Sequence, residues 1–143
     1  MSREETESAQ REVEVAREAT AAFGRAFTKG EIDAFVAMLA PDVEYEAPSV
    51  MQHTVMKLKG HDEVRRYLEE TTSEYDELGV EAREFRDLGG SRFLMVGWWH
   101  GSPRGATPFG TPVAAVLDVR GEKVSKLRAF FDEQLAIDAA RRD

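Results

Sequence analysis

Few side chains in this sequence could do chemistry, and most of them fall in two short stretches. The first is Val43-Glu44-Tyr45-Glu46-Ala47, which alternates apolar and acidic residues. Its Tyr45 offers a hydroxyl that can orient a carbonyl or serve as an acid. The other reading, which its setting favours, is a core aromatic with its OH reaching water at the rim. The second is Val96-Gly97-Trp98-Trp99-His100. His100 is the candidate general acid or base, since imidazole alone titrates near neutrality without perturbation. The other reading is a strand-end histidine bonded to backbone or solvent. Alternation sends Trp98 and His100 to one face with Leu94 and Val96, and Trp99 to the other with Phe93 and Met95. A bulge at Gly97 would shift that assignment by one. His53, between Gln52 and the pair Val55 and Met56, suits a flexible cover over an apolar ligand or an ordinary loop histidine. His61 reads as a helix-start residue.

Other chemistries fall away. Cysteine is absent, which removes disulfides, thiol nucleophiles and thiolate metal sites together. The three histidines lack the four-residue helical spacing of zinc hydrolases, so no metal and no cofactor is expected. The glycines around Gly105 and Gly110 are not followed by a lysine and a helix, so they connect strands rather than cradle phosphate. Lysine and arginine total 19 against 27 acidic residues, a net charge of −8. That sign argues against nucleic acid and anionic membranes as partners. No apolar run is long enough to span a bilayer and residues 1–18 are charged, so the expected location is cytoplasmic.

The 143 residues make one domain, 42% hydrophobic and 32% charged. Residues 1–12 read as a charged extension and 13–143 as the domain. Val13, Ala16, Thr20, Phe23 and Phe27 form one stripe of a helix over 9–28, stopped at Lys29-Gly30. Ile32, Phe35, Val36 and Leu39 make a second helix ending before Pro41. A strand covers 42–47, an irregular stretch follows Pro48, and a third helix starts near His61. Strands then cover 80–88, 93–100, 113–119 and 124–131, and Asp132 caps a closing helix. Ten acidic against four basic residues between Asp62 and Asp87 mark a solvated face. Helices followed by a strand meander indicate an α+β fold with helices on one face of a curved antiparallel sheet. Such a fold encloses a pocket, the natural place for a small molecule.

Several segments then resemble a known family. Gly30-Glu31-Ile32-Asp33-Ala34-Phe35 and Leu39 to Pro48 look like the opening of a SnoaL-like domain. Lys59-Gly60-His61-Asp62-Glu63-Val64 is similar to its third-helix entry. Arg120 to Val124 with Leu127 to Asp132 resembles its final hairpin and closing helix. The family belongs to the nuclear transport factor 2-like, ketosteroid-isomerase-like superfamily. The resemblance implies a cone-shaped half-barrel packed with three main helices, a deep pocket and a homodimer formed through the outer sheet face. In ketosteroid isomerases the base and the two oxyanion donors would fall on Ala47, on Phe23 and near Ala114, all apolar here, so that activity is rejected.

The expected function is a pocket for a small hydrophobic molecule, lined by Phe23, Tyr45, Ala47, His53, Trp98, Val116 and Phe131. Cofactor-independent acid/base chemistry of the cyclase, isomerase or dehydratase type would use His100 and Tyr45. A non-catalytic binder and a dimeric interaction module are the alternatives. Arg128 and Asp132 resemble the Arg–Asp pair of epoxide hydrolases in the superfamily only in composition. Arg128 shares a face with Phe130, away from Leu127, Ala129 and Phe131.

Overall fold

A computed structural model describes residues 2–48 and 55–142. Helix α1 spans Arg3–Thr28, starting well before the apolar stripe. The charged residues expected as a separate extension are therefore its first turns. Ser2 caps them by accepting from the Glu5 amide at 3.2 Å, and acidic Glu4 and Glu5 meet the positive end of the helix dipole. Burial begins at Val15 and continues through Ala16, Ala19, Phe23, Ala26 and Phe27. The alanines let the helix lie close on the sheet, and a Cβ on Gly24 would stand 3.3 Å from the Val80 carbonyl.

Helix α2 (Ile32–Val36) is a short turn that buries Phe35 and Val36. Strand β1 (Leu39–Pro48) follows, longer than its alternating centre. Strand β2 (Val55–Lys59) emerges where the sequence pattern reads as irregular, because its residues are mostly exposed and carry no alternation. Helix α3 (Gly60–Ser73) is pinned to β1 by His61, whose Nε2 lies 2.8 Å from the Leu39 carbonyl. This is the helix-start role expected of that histidine.

Strands β3 (Tyr75–Gly89), β4 (Arg92–Pro103), β5 (Phe109–Arg120) and β6 (Lys123–Phe130) form the meander. Sheet order is β2-β1-β6-β5-β4-β3. The sheet is not antiparallel throughout: β1 runs parallel to β6, which joins the two ends of the chain. Along β3 the register slips at Asp76, Arg83 and Leu88, each an extra residue against β4. Bulges of this kind bend an edge strand and increase its twist, which curves the sheet around α1.

The main core lies between α1, α3 and the concave face, and includes Phe35, Val43, Leu68, Met95 and Leu127. Helix α4 (Glu133–Arg142) covers the convex face of β4–β6, where Ala136 packs with Leu94, Ala114 and Val116. Asp132 caps it as expected, its carboxylate accepting from the Leu135 amide at 3.0 Å. No helix among the described residues is long and apolar enough to cross a membrane.

Candidate binding site

The concave face of the sheet and the two helices over it leave a cavity of about 400 Å³. Helix α1 contributes Phe23 and Phe27 and β5 contributes Val113, with Ala129 on β6 and Phe131 just beyond it. These make an apolar floor. Tyr45 of β1, Tyr67 of α3, Tyr75 of β3 and Trp99 of β4 form aromatic walls. Thr71 with exposed Glu70 and Glu74 marks the rim at the C-terminal end of α3, opposite Pro48 and Met56. All three tyrosines of the chain therefore face one cavity.

Each wall residue has a local cause. Val43, Tyr45 and Ala47 point inward by strand alternation, leaving Glu44 exposed and Glu46 half-buried. The Phe23 ring meets Tyr45 edge-on at 6.5 Å and stacks on Phe35 at 5.5 Å. Tyr75 lies over Gly101, where a Cβ would stand 2.8 Å from its ring, so glycine leaves room for that wall. Trp99 is held edge-to-face by Phe27 at 4.8 Å and by Phe131 at 5.9 Å. Such pairs fix ring orientation in addition to burying area. The Trp99 indole N–H is buried and has no hydrogen-bond partner among the described residues.

Burial pushes all three phenols above their ordinary range, Tyr45 furthest. For Tyr67 a hydrogen bond with Thr71 opposes the rise, while the charge of Glu74 adds to it, as it does for Tyr75. At neutral pH the three hydroxyls are protonated and able to donate.

Phe23, Tyr45 and Phe131 line the cavity, and Ala47 is buried beside Tyr45 in the core without reaching the cavity surface. Trp98 does not line it, and Trp99 does. A bulge does occur beside Gly97, but its extra residue, Arg83, is on β3, so alternation along β4 is unshifted. Trp98 thus lies on the convex face against Gly110, with the Arg83 guanidinium 5.4 Å from its ring centre.

His100 follows Trp98 onto the convex face, exposed, with its ring over Gly79 of the neighbouring strand. The structure therefore separates His100 from Tyr45 rather than pairing them. Val116 is also convex, buried under α4. Alternation carries Val113, Ala115 and Leu117 to the concave side instead. Arg128 lies on the convex face as its alternation requires. It is 4% exposed and donates to the Ala139 carbonyl of α4 at 3.3 Å. His53 lies outside the described residues.

Tyr67, Tyr75 and Trp99 were missed by sequence reasoning. Tyr67 was legible as an inward position on α3 but not as a cavity wall. Tyr75 precedes the strand as it was drawn from the sequence. No group of three histidine or acidic residues among the described ones is placed to hold a metal ion.

The family model described as a SnoaL-like domain matches residues 20–127. No curated protein matches the sequence. Among solved structures, a nuclear transport factor 2-like protein from Anabaena variabilis superposes with a TM-score of 0.74 at 19% identity, covering 85% of this chain and 90% of that one. A protein with a ketosteroid isomerase-like fold from Catenulispora acidiphila, in complex with trimethylamine, gives 0.68 at 20% identity over 85% and 90% of the two chains. A candidate polyketide cyclase from Xanthomonas campestris gives 0.68 at 19% identity over 90% and 96%. At these identities the likeness is one of fold.

Proposed function

Because the chain belongs to the SnoaL-like domain family, a fold that hosts unrelated activities, we propose from its own cavity that it binds a small, largely apolar organic molecule. One observation carries this reading: the cavity of about 400 Å³ has an apolar floor and walls of phenol and indole. That volume suits one compact organic molecule. Protonated Tyr45 and Tyr67 supply donors for a carbonyl or hydroxyl of the ligand. Solved relatives of the same fold include a candidate polyketide cyclase and a protein holding trimethylamine, which is consistent with a ligand-holding role.

The test is calorimetric titration of the protein with a panel of neutral aromatic ketones and phenols, repeated with Ala129→Trp. Ala129 is buried on the cavity floor, so an indole there occupies the space. Binding that disappears in the variant, with its circular dichroism unchanged, supports the reading. Binding that persists places the ligand elsewhere and overturns it.

A second reading is acid/base chemistry on a carbonyl compound. It is favoured by phenols kept protonated within the same cavity as the rim carboxylates of Glu70 and Glu74. His100 has no part in it. Turnover of a bound carbonyl compound that is lost in Tyr45→Phe, with binding retained, would establish that reading. Pairing of two copies through the convex face not covered by α4, and a cytoplasmic setting, belong to the same proposal. Sedimentation equilibrium tests the pairing.

A further inference from the structure

Three features of the cavity have the same electrostatic sign. Glu70, in the last turn of α3, and Glu74, its C-cap residue, stand four positions apart, both at the rim. The last turn of α3 carries no basic residue, so the partial negative charge of its carbonyl end is reinforced rather than offset. Among the described residues, no lysine, arginine or histidine lines the cavity. Acidic side chains at the negative end of a helix weaken that helix, an effect that a bound cation would offset.

The walls add a fourth feature. Seven aromatic side chains among the described residues line the cavity, and the half-buried pair Tyr67 and Tyr75 both lie near enough to Glu74 to feel its charge. Ring faces attract a desolvated cation through their quadrupoles, and a carboxylate at the open end supplies the countercharge.

We infer that the cavity selects an organic ammonium, a tertiary or quaternary amine on an apolar body, its cationic head between Tyr67, Tyr75, Glu70 and Glu74. The inference rests on the proposed binding role and specifies its ligand class. A neutral ligand of the same shape would gain the apolar burial but neither the cation–π contact nor the carboxylate attraction. An anion would meet Glu70, Glu74 and the α3 carbonyls with the wrong sign.

The test uses two probes of one shape: benzoylcholine, and 3,3-dimethylbutyl benzoate, in which carbon replaces the quaternary nitrogen. Calorimetry on the wild-type protein is expected to give about tenfold tighter binding of the cation at low salt. The advantage should shrink at high salt and in the Glu70→Gln, Glu74→Gln double variant, while the neutral ester binds alike throughout. Both substituted residues are exposed, and an unchanged thermal midpoint verifies the fold. Equal or tighter binding of the neutral ester overturns the ammonium inference and leaves the pocket reading standing. A cation preference that survives in the double variant overturns the role given to the rim. Failure of both probes to bind overturns the inference and the pocket reading together.

Discussion

The rings of Tyr45 and Tyr67 meet at 5.7 Å with their planes 50° apart, joining β1 to α3 across the cavity wall. Tyr45 is 1% exposed and also touches Phe23 of α1, so one side chain ties together three elements. Replacing it with alanine would remove that wall and enlarge an existing cavity. Tyr45→Ala is expected to lose about 3–5 kcal/mol of stability, the range for deleting a large buried aromatic. Tyr45→Phe keeps the ring and should stay within about 1 kcal/mol of the wild type. Denaturant unfolding of the two variants measures the difference, and equal losses would show that the ring is not what holds the wall.

Because all three tyrosines line the cavity, an ultraviolet pH titration of phenolate formation reports on this site alone. Burial raises each phenol on folding, foremost Tyr45. Below about pH 10, the ordinary phenol value, folded and unfolded chains are both protonated and the full stability is present. Above it the unfolded chain releases protons that the folded chain retains, so stability falls as pH rises. Chemical unfolding is therefore expected to show a stability loss beginning near pH 10. A titration in which all three phenols ionise at the ordinary value would contradict the buried arrangement.

Two adjacent tryptophans report on opposite faces of the sheet. Trp99 lines the cavity and Trp98 lies on the convex side. Ligand binding should change the fluorescence of Trp98→Phe, in which Trp99 is the remaining indole. Trp99→Phe should give little response. His100→Ala should leave affinity within about twofold, because its ring is exposed over Gly79 on the convex face. A response that followed Trp98 would reverse the assignment of faces.

The α+β class, the helix–strand order and the inward set of β1 were legible because hydrophobic periodicity records burial directly. The α1 stripe, the Val43–Tyr45–Ala47 face and the Asp132 cap each follow from local rules. Which face of β4 meets the cavity was not legible, because both faces are apolar: one packs on α1 and the other under α4. Trp98 was assigned inward for that reason, although alternation had correctly set Trp99 and Trp98 apart, and Val116 of β5 was misplaced likewise because the convex face of that strand is also apolar. Strand β2 is mostly exposed, and the early part of β3 combines exposed side chains with a register slip at Asp76, so neither shows a period of two. Tyr75 belongs to the cavity through one of those irregular segments. Parallel pairing of β1 with β6 depends on residues about eighty positions apart, which no local pattern encodes.

Two glycines on neighbouring strands offer a sharp contrast in tolerance. A Cβ on Gly97 would stand 2.1 Å from the Glu81 carbonyl oxygen and 3.2 Å from the Ala82 Cα, both backbone atoms of β3 at its central bulge. Relief requires the two strands to separate, which breaks ladder hydrogen bonds in the strands that carry Trp99 and Tyr75. A Cβ on Gly79 would meet the His100 ring at 2.2 Å, but that side chain is exposed and can rotate into solvent. Gly97→Ala is therefore expected to cost about 3 kcal/mol, the upper range for forced overpacking. For a domain of this size that lowers the thermal midpoint by about 6–12 °C. Gly79→Ala should shift it by no more than about 2 °C, because only an exposed side chain has to move aside. Scanning calorimetry on the two variants decides the matter: equal midpoints would mean that β3 does not press on β4 at Gly97, and that the bulge does not set the curvature enclosing the cavity.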